Sequence, residues 1–468
     1  MTIPAGAPIV TAAEMRLAEQ ALFAAGMSQD ALMERAGAAV AREVARFAIG
    51  RPILILAGPG NNGGDAYVAA RLLQQEGHDV ALVATGAPKP GAAERMHGLW
   101  NGPTTSLYAA RPRAVLVDGL FGTGMERPLE RGLAAVFADL TANADFTLSI
   151  DLPSGLETDT GADLGAPRGI DATIALGALK PAHLLDCGLE RCGQLILADI
   201  GIPVPDEWRT AARPRLATPH VHSHKYTRGL VAVIEGAMPG AARLSARAAM
   251  AGGAGYVVLA GSEPWASAPD ALVRRGVGTS DDLSEFLAWD RIDAVVLGPG
   301  LGRDRRAESF LRAAFAVNKP LIVDGDALTL LGDGAAKWLD TRTAATWLTP
   351  HSGEFDRMFP GEGSKIERTL AAASQVRATI VHKGADTVIA APNGDVRILA
   401  GASPWLSTAG TGDVLAGLVA AQVAQGGKGA APAEAAAWLH ARAARLAGPA
   451  FFADRLIDQL PEAIDECL

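Results

Sequence analysis

The chain has 468 residues, of which 49% are hydrophobic and 20% are charged, and its formal net charge is −9. This composition is typical of a globular protein, and the length predicts two or three domains. The acidic balance and the lack of a basic tract exclude a nucleic-acid partner. No apolar run approaches the roughly 18 residues that a membrane span requires, so we expect no membrane partner.

The amino terminus and the cysteines indicate a reducing compartment. Residues 1–16 lack the basic and long apolar regions of a signal peptide. Cys187, Cys192 and Cys467 are too few, and odd in number, for a disulfide framework. We therefore predict a cytoplasmic protein in which the cysteines are small buried hydrophobes.

The first part of the chain alternates helices with strands. Apolar residues at helical spacing predict a helix over 31–47. Short apolar runs typical of buried strands lie at 53–57, 81–84, 114–118, 146–151, 172–176 and 195–199. This alternation predicts an α/β fold, with a Rossmann-like three-layer αβα domain over 1–205.

The segment that follows interrupts this pattern. It is rich in proline and has no periodicity, so we predict a linker over 206–224. Alternating histidines at 220–224 resemble a metal site, but no acidic or cysteine partner lies nearby in the sequence. We therefore favour the linker interpretation.

After the linker, alternation starts again and predicts a second αβα domain over 225–468. Asn393 and Gly394 are a strong hairpin turn signal. Residues 411–427 predict a helix with glycines past its end. The predicted strands lie within 231–237, 256–261, 294–300, 320–328, 346–350, 379–394 and 396–401.

The stretch GPGNNGGD at 58–65 fits the G-x-G-x-x-G pattern of a dinucleotide-binding loop. A dehydrogenase would also need an acidic residue after the second strand, whereas Asp79 precedes that strand. The loop instead holds Asn61, Asn62 and Asp65. An acid at a helix start repels a pyrophosphate, while asparagine amides can bind a cation or hydrogen-bond a ligand. We therefore disfavour a dehydrogenase.

Later strands of this domain also end in polar residues. VDGLFGTG places Asp118 at a strand end, and SIDLPSG places Asp151 at another, followed by Ser154. Ligands of open α/β sheets bind beyond the carboxyl ends of the strands. We therefore expect Asn62, Asp118, Asp151 and Ser154 to face one crevice.

These motifs, in this order, resemble those of the NAD(P)H-hydrate epimerases over about residues 9–205. The resemblance implies that Asp151 or Asp118 moves the proton during epimerisation. It also implies a potassium ion held by Asn62, Asp118 and Ser154. The residues implied to bind the hydrated nucleotide are Asn61, Asn62, Gly63, Gly64, Asp65, Gly122, Thr123, Gly124, Met125, Glu126, Arg127, Pro128 and Asp151.

In the second domain, STAGTGDVLAG at 407–417 carries the strongest signal. Gly410, Thr411 and Gly412 precede a helix, so backbone N–H groups and the helix dipole can hold an anion. Asp413 beside phosphates is unfavourable unless it deprotonates a hydroxyl that attacks phosphorus. The chain has no Walker A motif.

Further polar motifs of this domain lie at predicted strand ends. Lys383 in HKGADT offers a cation to phosphates, and GPGLG at 298–302 is a second glycine loop. DGDAL brings Asp324 and Asp326, and TPHSGEF brings His351 beside Glu354. A lone histidine is more often structural. Because His351 lies in a strand-end loop beside Glu354, a structural role and a functional role are equally favoured.

The motifs HKYTRG, GGAGYVVLA, GPGLG, DGDAL, TPHSGEF, HKGADT and TAGTGDVLAG resemble the ADP-dependent NAD(P)H-hydrate dehydratases of the ribokinase superfamily over about residues 222–465. The resemblance implies ADP as a co-substrate, and we expect magnesium with it. The residues implied to touch the hydrated nucleotide are Ala254, Gly300, Gly302, His351 and Asp413. Those implied to bind ADP are Lys383, Gly384, Ala385, Asp386, Thr387 and Gly412.

The two resemblances together imply a bifunctional enzyme that repairs NADH and NADPH hydrated at C6. The first domain would interconvert the R and S epimers. The second would dehydrate the S epimer with ADP, giving AMP and phosphate. A homo-oligomer is also expected. Two alternatives stay open: the second domain could be a kinase of a vitamin precursor, and the first a non-catalytic nucleotide-binding module.

Overall fold

A computed structural model describes residues 3–262 and 269–468. The chain divides into two compact units, Met1–Thr210 and Ala211–Leu468. The division falls inside the segment 206–224 that the sequence predicts as a linker. Within the described residues, the longest apolar helices fall short of what a bilayer crossing demands.

The first unit alternates strands and helices, as its sequence predicts. Its helices are α1 Ala12–Ala24, α2 Gln29–Ala48, α3 Asn61–Gln75, α4 Ala92–Gly98, α5 Arg131–Ala142 and α6 Gly188–Arg191. Its strands are β1 Ile53–Ala57, β2 Val80–Ala84, β3 Thr104–Ser106, β4 Val115–Gly119, β5 Phe146–Ile150, β6 Ala172–Leu176, β7 Gln194–Ala198 and β8 Trp208–Thr210.

The first unit is a doubly wound parallel sheet. Its strands lie in the order β3-β2-β1-β4-β5-β6-β7, so the chain order reverses between β1 and β4. Alternate residues of β1 face opposite sides of the sheet. Ile53 and Ile55 pack in the core with α2 and α3, whereas Leu54 and Leu56 pack with α5. The three-layer αβα prediction is confirmed.

Strand β8 lies in the predicted linker but pairs with the amino terminus of the first unit. Thr210 Oγ1 donates a 2.6 Å hydrogen bond to the carbonyl oxygen of Pro4 and accepts one of 2.9 Å from Ala7 N–H. Pro8 and Arg209 form an antiparallel bridge. Backbone pairing therefore orders residues in which the sequence shows no periodicity.

The second unit also alternates strands and helices. Its strands are β9 Leu230–Ile234, β10 Tyr256–Gly261, β11 Val273–Gly276, β12 Ala294–Leu297, β13 Leu321–Val323, β14 Thr346–Leu348, β15 Thr379–His382, β16 Asp386–Ala390 and β17 Val396–Ala400. Its helices are α7 Pro239–Ala251, α8 Ser280–Leu287, α9 Arg305–Ala316, α10 Gly325–Leu331, α11 Ala335–Leu339, α12 Ser352–Met358, α13 Lys365–Val376, α14 Thr411–Ala424, α15 Ala431–Ala447, α16 Ala453–Asp458 and α17 Leu460–Asp465.

The sheet of the second unit has the strand order β11-β10-β9-β12-β13-β14-β15-β16-β17. The strands are parallel up to β15, whereas β16 and β17 are antiparallel additions. The predicted hairpin at Asn393 and Gly394 joins β16 to β17, and Gly394 has a φ of +98°. The chain order reverses between β9 and β12, which places the loops after these strands at a second crevice.

Some predicted elements differ from the structure. The single strand predicted over 320–328 is wrong, because only Leu321–Val323 form β13 and Gly325–Leu331 form α10. Strands β3 and β11 were not predicted. Both are edge strands with largely exposed side chains, so they lack the apolar pattern of a buried strand.

Helices α7 and α14 of the second unit pack in backbone contact. A Cβ atom added to Gly417 would lie 2.1 Å from the carbonyl oxygen of Ser245. Real side chains do not approach backbone this closely, so only glycine permits this helix spacing. Because α14 begins with the predicted anion-binding turn, the contact also sets the position of that turn.

Replacing Gly417 with alanine should lower the free energy of unfolding of the second unit by about 1–3 kcal/mol, because overpacking forces the two helices apart. Urea unfolding followed by circular dichroism measures this loss. Gly240→Ala in α7 is the matched control, since a Cβ atom there meets nothing within 4 Å. Equal stability of the two variants would contradict the close contact.

Candidate functional sites

Glycines bring the loops after β1 and β4 into backbone contact. A Cβ atom on Gly58 would lie 1.7 Å from the carbonyl oxygen of Leu120, and one on Gly63 would lie 1.8 Å from that of Gly58. Helix α3 begins at Asn61 with Gly60 as its N-cap. Asp65 therefore lies in the fifth position of α3, one turn past the start of the helix.

A cavity of about 580 Å³ opens at these loops. Helix α1 contributes Arg16, Glu19, Gln20 and Phe23 to its lining, and α2 contributes Met33. The predicted site residues that line it are Asn61, Asn62, Asp65, Gly122, Thr123, Gly124, Met125 and Asp151.

The remaining residues predicted for this site lie outside the cavity lining. Gly63 and Gly64 are buried; a Cβ atom on Gly64 would lie 2.4 Å from Met33 Sδ, so both glycines serve close packing. Glu126, Arg127 and Pro128 are exposed on the loop after β4.

Asp118 is completely buried at the end of β4. Its Oδ1 accepts hydrogen bonds from Ser154 Oγ at 2.7 Å and Leu120 N–H at 3.1 Å. Its Oδ2 accepts from Ser154 N–H at 2.8 Å and Ser149 Oγ at 3.1 Å. Burial raises the pKa of Asp118 to about 6 against the opposing effect of these donors. This carboxyl holds the two loops together, and it does not line the cavity.

Asp151 follows β5 in a left-handed conformation, with a φ of +62°. Its Oδ1 forms an ion pair with Lys180 Nζ, which also donates a 2.9 Å hydrogen bond to the carbonyl oxygen of Leu176. His183 Nδ1 accepts from Lys180 N–H at 2.8 Å, so its Nε2 carries the proton and donates to Asp151 O at 2.7 Å. Burial, then the charge of Lys180, lowers the pKa of His183 to about 4.

Two further carboxyl groups, Glu19 and Asp65, line the same cavity. Burial first, and then the charge of Asp151, raises the pKa of both; the increase is large for Asp65. Lys180 opposes both increases. The cavity therefore contains acidic groups with different tendencies to hold a proton.

The amide of Asn62 and the carboxylate of Asp151 converge on Gly122. The position of a Cβ atom on Gly122 is 3.1 Å from Asn62 Oδ1 and 3.3 Å from Asp151 Oδ2. Asn62 Nδ2 is buried and has no hydrogen-bond partner in the described part of the chain. A side chain on residue 122 would fill the space between these groups.

In the second unit, the predicted anion-binding turn meets Lys383. The position of a Cβ atom on Gly412 is 3.3 Å from Lys383 Nζ and 3.9 Å from Asp324 Oδ2. Lys383 Nζ donates a 2.8 Å hydrogen bond to Asp324 Oδ1. The start of α14 therefore faces both a cation and a carboxylate that follows β13.

Asp413 lies in the first turn of α14 and has a raised pKa. Burial raises its pKa to about 7, assisted by the charge of Asp324 and then opposed by Lys383. Ser245 Oγ donates a 2.8 Å hydrogen bond to Asp413 O, and His440 Nε2 donates one of 2.9 Å to Thr411 O. The backbone of this turn is therefore held from two other helices.

The glycine loop after β12 joins the same strand ends. Gly298 has a φ of +121°, and a Cβ atom there would lie 1.8 Å from Asp324 O. Gly302 N–H donates a 3.0 Å hydrogen bond to Asp326 Oδ2. A Cβ atom on Gly300 would lie 2.2 Å from Met238 O, so this predicted residue lies against backbone.

The loop predicted to bind ADP lies between β15 and β16. Thr387 Oγ1 donates a 2.9 Å hydrogen bond to Gly384 O, and Gly384 and Ala385 are exposed. Asp386 pairs with Lys365 Nζ at 2.5 Å, beside Gly384. These contacts fix the turn that presents Lys383 to the site.

His351 lies beside Lys383 through a parallel backbone bridge. Its Nδ1 accepts a 3.3 Å hydrogen bond from Glu354 N–H, and Glu354 Oε2 accepts one of 2.9 Å from His351 N–H. The imidazole thus caps α12 and is also more than half exposed. The imidazole therefore has a structural role, and its exposed part stays accessible to a ligand.

Two sequence motifs lie apart from these sites. Ala254 precedes β10 at the amino end of the strand and is 9% exposed in the core, so the structure does not bring it to the strand-end group. His220, His222 and His224 lie in the segment 220–224. Within residues 3–262 and 269–468, no cluster of histidine, cysteine and acidic side chains suits a metal ion.

Comparison with known proteins decides the family. Residues 29–182 match the family described as YjeF-related protein N-terminus, and residues 231–465 match that described as NAD(P)H-hydrate dehydratase. The bifunctional NAD(P)H-hydrate repair enzyme Nnr of Gloeobacter violaceus is 37% identical, over 93% of this chain and 92% of that protein. The chain belongs to the bifunctional NAD(P)H-hydrate repair enzymes. The Mycobacterium tuberculosis member is 33% identical over 88% of both chains.

Among solved structures, the ADP/ATP-dependent NAD(P)H-hydrate dehydratase from Bacillus subtilis, co-crystallised with ATP/Mg2+, is 26% identical to this chain. The comparison covers 54% of this chain and 95% of that chain, with a TM-score of 0.48.

This bifunctional repair enzyme therefore has an epimerase domain followed by an NAD(P)H-hydrate dehydratase domain. The family, the fold class and the enzyme class predicted from the sequence are confirmed. Sequence reasoning missed Lys180, His183 and Lys365. The first two lie in LKPAH at 179–183, where a lysine shortly after a buried strand was an available signal.

Proposed function

We propose that the cavity of the first unit binds hydrated NADH or NADPH and that Asp151 is the proton acceptor of epimerisation. The observation that carries this proposal is the position of Asp151, which lines the cavity with Oδ2 near Gly122. Asp118 is the weaker candidate because it is fully buried and both its oxygen atoms accept two hydrogen bonds. Asp118 positions the loops around the substrate.

We propose that Asn62, Asp118 and Ser154 hold a potassium ion in this unit. Amide, carboxylate and hydroxyl oxygens are the ligands that hard cations prefer. The buried amide of Asn62 has an unpartnered end, and a rotated amide would present its oxygen there. The oxygen atoms of Asp118 would contact the ion while they also accept hydrogen bonds from Leu120, Ser149 and Ser154. The ion would supply positive charge beside the nucleotide.

For the second unit, we propose that Asp413 deprotonates the C6 hydroxyl of the S epimer. The hydroxyl oxygen then takes the terminal phosphoryl group of ADP, and AMP leaves. Loss of the C5 proton with departure of phosphate from C6 restores the ring double bond. The turn at Gly412 and the ammonium group of Lys383 bind the phosphates, because both face the same point.

Magnesium fits this arrangement as a phosphate-bound ion. Mg2+ usually keeps several waters and takes only one or two protein carboxylates in addition to phosphates. Asp324 Oδ2 lies beside the anion-binding turn and can serve as such a ligand. The metal would neutralise phosphate charge.

We also propose that the enzyme is a cytoplasmic homo-oligomer.

The test of both activities uses a mixture of the R and S epimers of hydrated NADH with enzyme, potassium, magnesium and ADP. We expect reduced-nicotinamide absorbance to recover completely. Asp413→Asn should slow dehydration at least about 100-fold and leave epimer exchange intact, since general-base catalysis contributes that much. Asp151→Asn should have the reverse effect, with dehydration of pure S epimer retained.

Three other outcomes of this assay would contradict parts of the proposal. Recovery that stops when the S epimer is spent would contradict the epimerase activity. A phosphorylated product that accumulates would favour the kinase alternative for the second unit. Undiminished dehydration by Asp413→Asn would exclude Asp413 as the base.

The pH dependence of dehydration should follow the ionisation of Asp413. Its pKa is raised from 3.8 to about 7, so the free enzyme loses its base as pH falls below about 7. We expect kcat/KM for the S epimer to fall tenfold per pH unit there, because this parameter reports the free enzyme. Asp324→Asn should move the midpoint to lower pH, since the charge of Asp324 raises the pKa of Asp413. Asp333→Asn, on an exposed turn, is the control.

Potassium binding should stabilise the first unit against heat. The gain is about 2.7 kcal/mol when the ion concentration is 100 times the dissociation constant. Differential scanning calorimetry in potassium chloride and in tetramethylammonium chloride measures it at equal ionic strength. Asn62→Ala should abolish the difference, whereas Asn101→Ala, on the exposed surface, should retain it. An identical difference in both variants would show that the ion binds elsewhere or not at all.

A further inference from the structure

Lys180 places a positive charge in the interior of the first unit. Its side chain is 1% exposed, and Nζ has two acceptors, Asp151 Oδ1 and the carbonyl oxygen of Leu176. A buried ion pair stabilises a fold less than apolar residues of similar volume often do. Stability alone therefore does not explain why this lysine lies behind the cavity.

The same contacts aim Asp151 into the cavity. Its N–H donates a 2.8 Å hydrogen bond to Ile174 O, and its carbonyl oxygen accepts one from His183. Oδ1 is occupied by Lys180 and by Leu176 N–H at 3.3 Å. Oδ2 is left on the side of Gly122, 3.3 Å from the position of its missing Cβ atom. One carboxylate oxygen is held while the other faces the substrate space.

Asp65 provides a second carboxyl group in the same cavity, and its pKa is raised. It lines the cavity from α3, and its carboxyl group has no hydrogen bond to the described residues. Burial raises its pKa well above 3.8, with the charges of Asp151 and Glu19 adding to the effect. A carboxyl group in this setting holds its proton more firmly than an exposed carboxyl group does, and it can donate that proton to a substrate.

We propose that Lys180 is a positioning residue that holds Asp151 Oδ1 and so directs Oδ2 at the substrate as the proton acceptor, and that Asp65 is a catalytic residue that donates a proton. This inference rests on the proposed epimerase activity of the first unit. It adds an acid to the base already named and gives a role to a lysine that no sequence motif identified.

The acid–base pair allows epimerisation through ring opening. The Asp151 carboxylate takes the proton of the C6 hydroxyl, a C6–O double bond forms, and the C6–N1 bond breaks with its electron pair going to N1. Asp65 gives its proton to N1. After rotation about C5–C6, N1 attacks the other face of the aldehyde; its proton returns to Asp65, and the oxygen takes back the proton from Asp151. No other reactant is consumed.

Other charged groups around the cavity do not replace this pair. Arg16 and Lys89 line it as cations, and neither lies in an ion pair with Asp151 among the described residues. Glu19 also faces Asp151, and its pKa is raised less than that of Asp65. His183 is committed to backbone atoms at both ring nitrogens.

The experiment measures the pH profile of R-to-S exchange by the full chain without ADP, so that the dehydratase is silent. Lys180→Met should lower kcat with little change in KM, because Asp151 Oδ2 is no longer directed at the substrate. Asp65→Asn should lower kcat at least about 100-fold with little change in KM and should remove the alkaline limb. A purely structural role of Lys180 would change kcat and KM together, and a purely structural role of Asp65 would leave the alkaline limb in place.

Controls separate this inference from the proposed function. Arg71→Met removes a cation from an ion pair with Glu34, outside the cavity lining, and should leave the profile unchanged. Each variant should dehydrate pure S epimer at the wild-type rate, which shows that the second unit is intact. If Lys180→Met unfolds the first unit, the isosteric Asp65→Asn variant decides the proton-donor role.

Two outcomes overturn the inference in different ways. Absence of epimer exchange by the wild-type chain would overturn the proposed epimerase function and this inference with it. Exchange by the wild-type chain, with an unchanged kcat in folded Lys180→Met and an unchanged alkaline limb in Asp65→Asn, would overturn the inference alone.

Discussion

Both units depend on backbone contacts between the loops at the carboxyl ends of neighbouring parallel strands. In the first unit a Cβ atom on Gly58 would lie 1.7 Å from Leu120 O, and in the second one on Gly298 would lie 1.8 Å from Asp324 O. Only glycine allows such an approach. The contacts pull together the ends of β1 and β4, and of β12 and β13, so the polar residues that follow these strands share one crevice in each unit.

The two crevices differ in which carboxylate is paired with a lysine. In the first unit, Lys180 is committed to Asp151, and the neighbouring acids Glu19 and Asp65 hold their protons more tightly. In the second unit, burial raises the pKa of Asp413 to about 7, and Lys383, which is paired with Asp324, opposes this increase. Each crevice thus pairs a lysine with one carboxylate and leaves another carboxyl group with a raised pKa.

The sequence predicted the parts of the fold that repeat a simple pattern. Buried strands such as Ile53–Ala57 and Ala172–Leu176 were predicted at their observed bounds, because continuous apolar runs leave little alternative. Edge strands such as Val273–Gly276 were missed, since their charged, exposed side chains look like loop residues. A strand before Asp324 was predicted, but its extension to residue 328 was wrong, and α10 was not foreseen because seven residues are too few to show a helical pattern.

The candidate sites show the same difference between residues that belong to a recognisable sequence pattern and residues that do not. Residues such as Asn62 and Asp413 could be selected from the sequence because they lie in glycine-rich turns that follow predicted strands, where ligands bind. Lys180 was not, because its partner Asp151 is distant in sequence and the pairing exists only after β5 and β6 lie side by side. Ala254 shows the converse, since membership of a motif does not bring a residue to the strand ends.

The contact between Gly417 and Ser245 has a consequence for how the dehydratase domain tolerates sequence change. Helix α14 is buried on nearly all sides, and its first turn carries Asp413. A bulkier residue at the contact between α7 and α14 would shift Asp413, the proposed base, while the other proposed binding residues stayed in place. A substitution in this interface between α7 and α14 can therefore abolish the repair activity, although it changes none of the proposed binding residues.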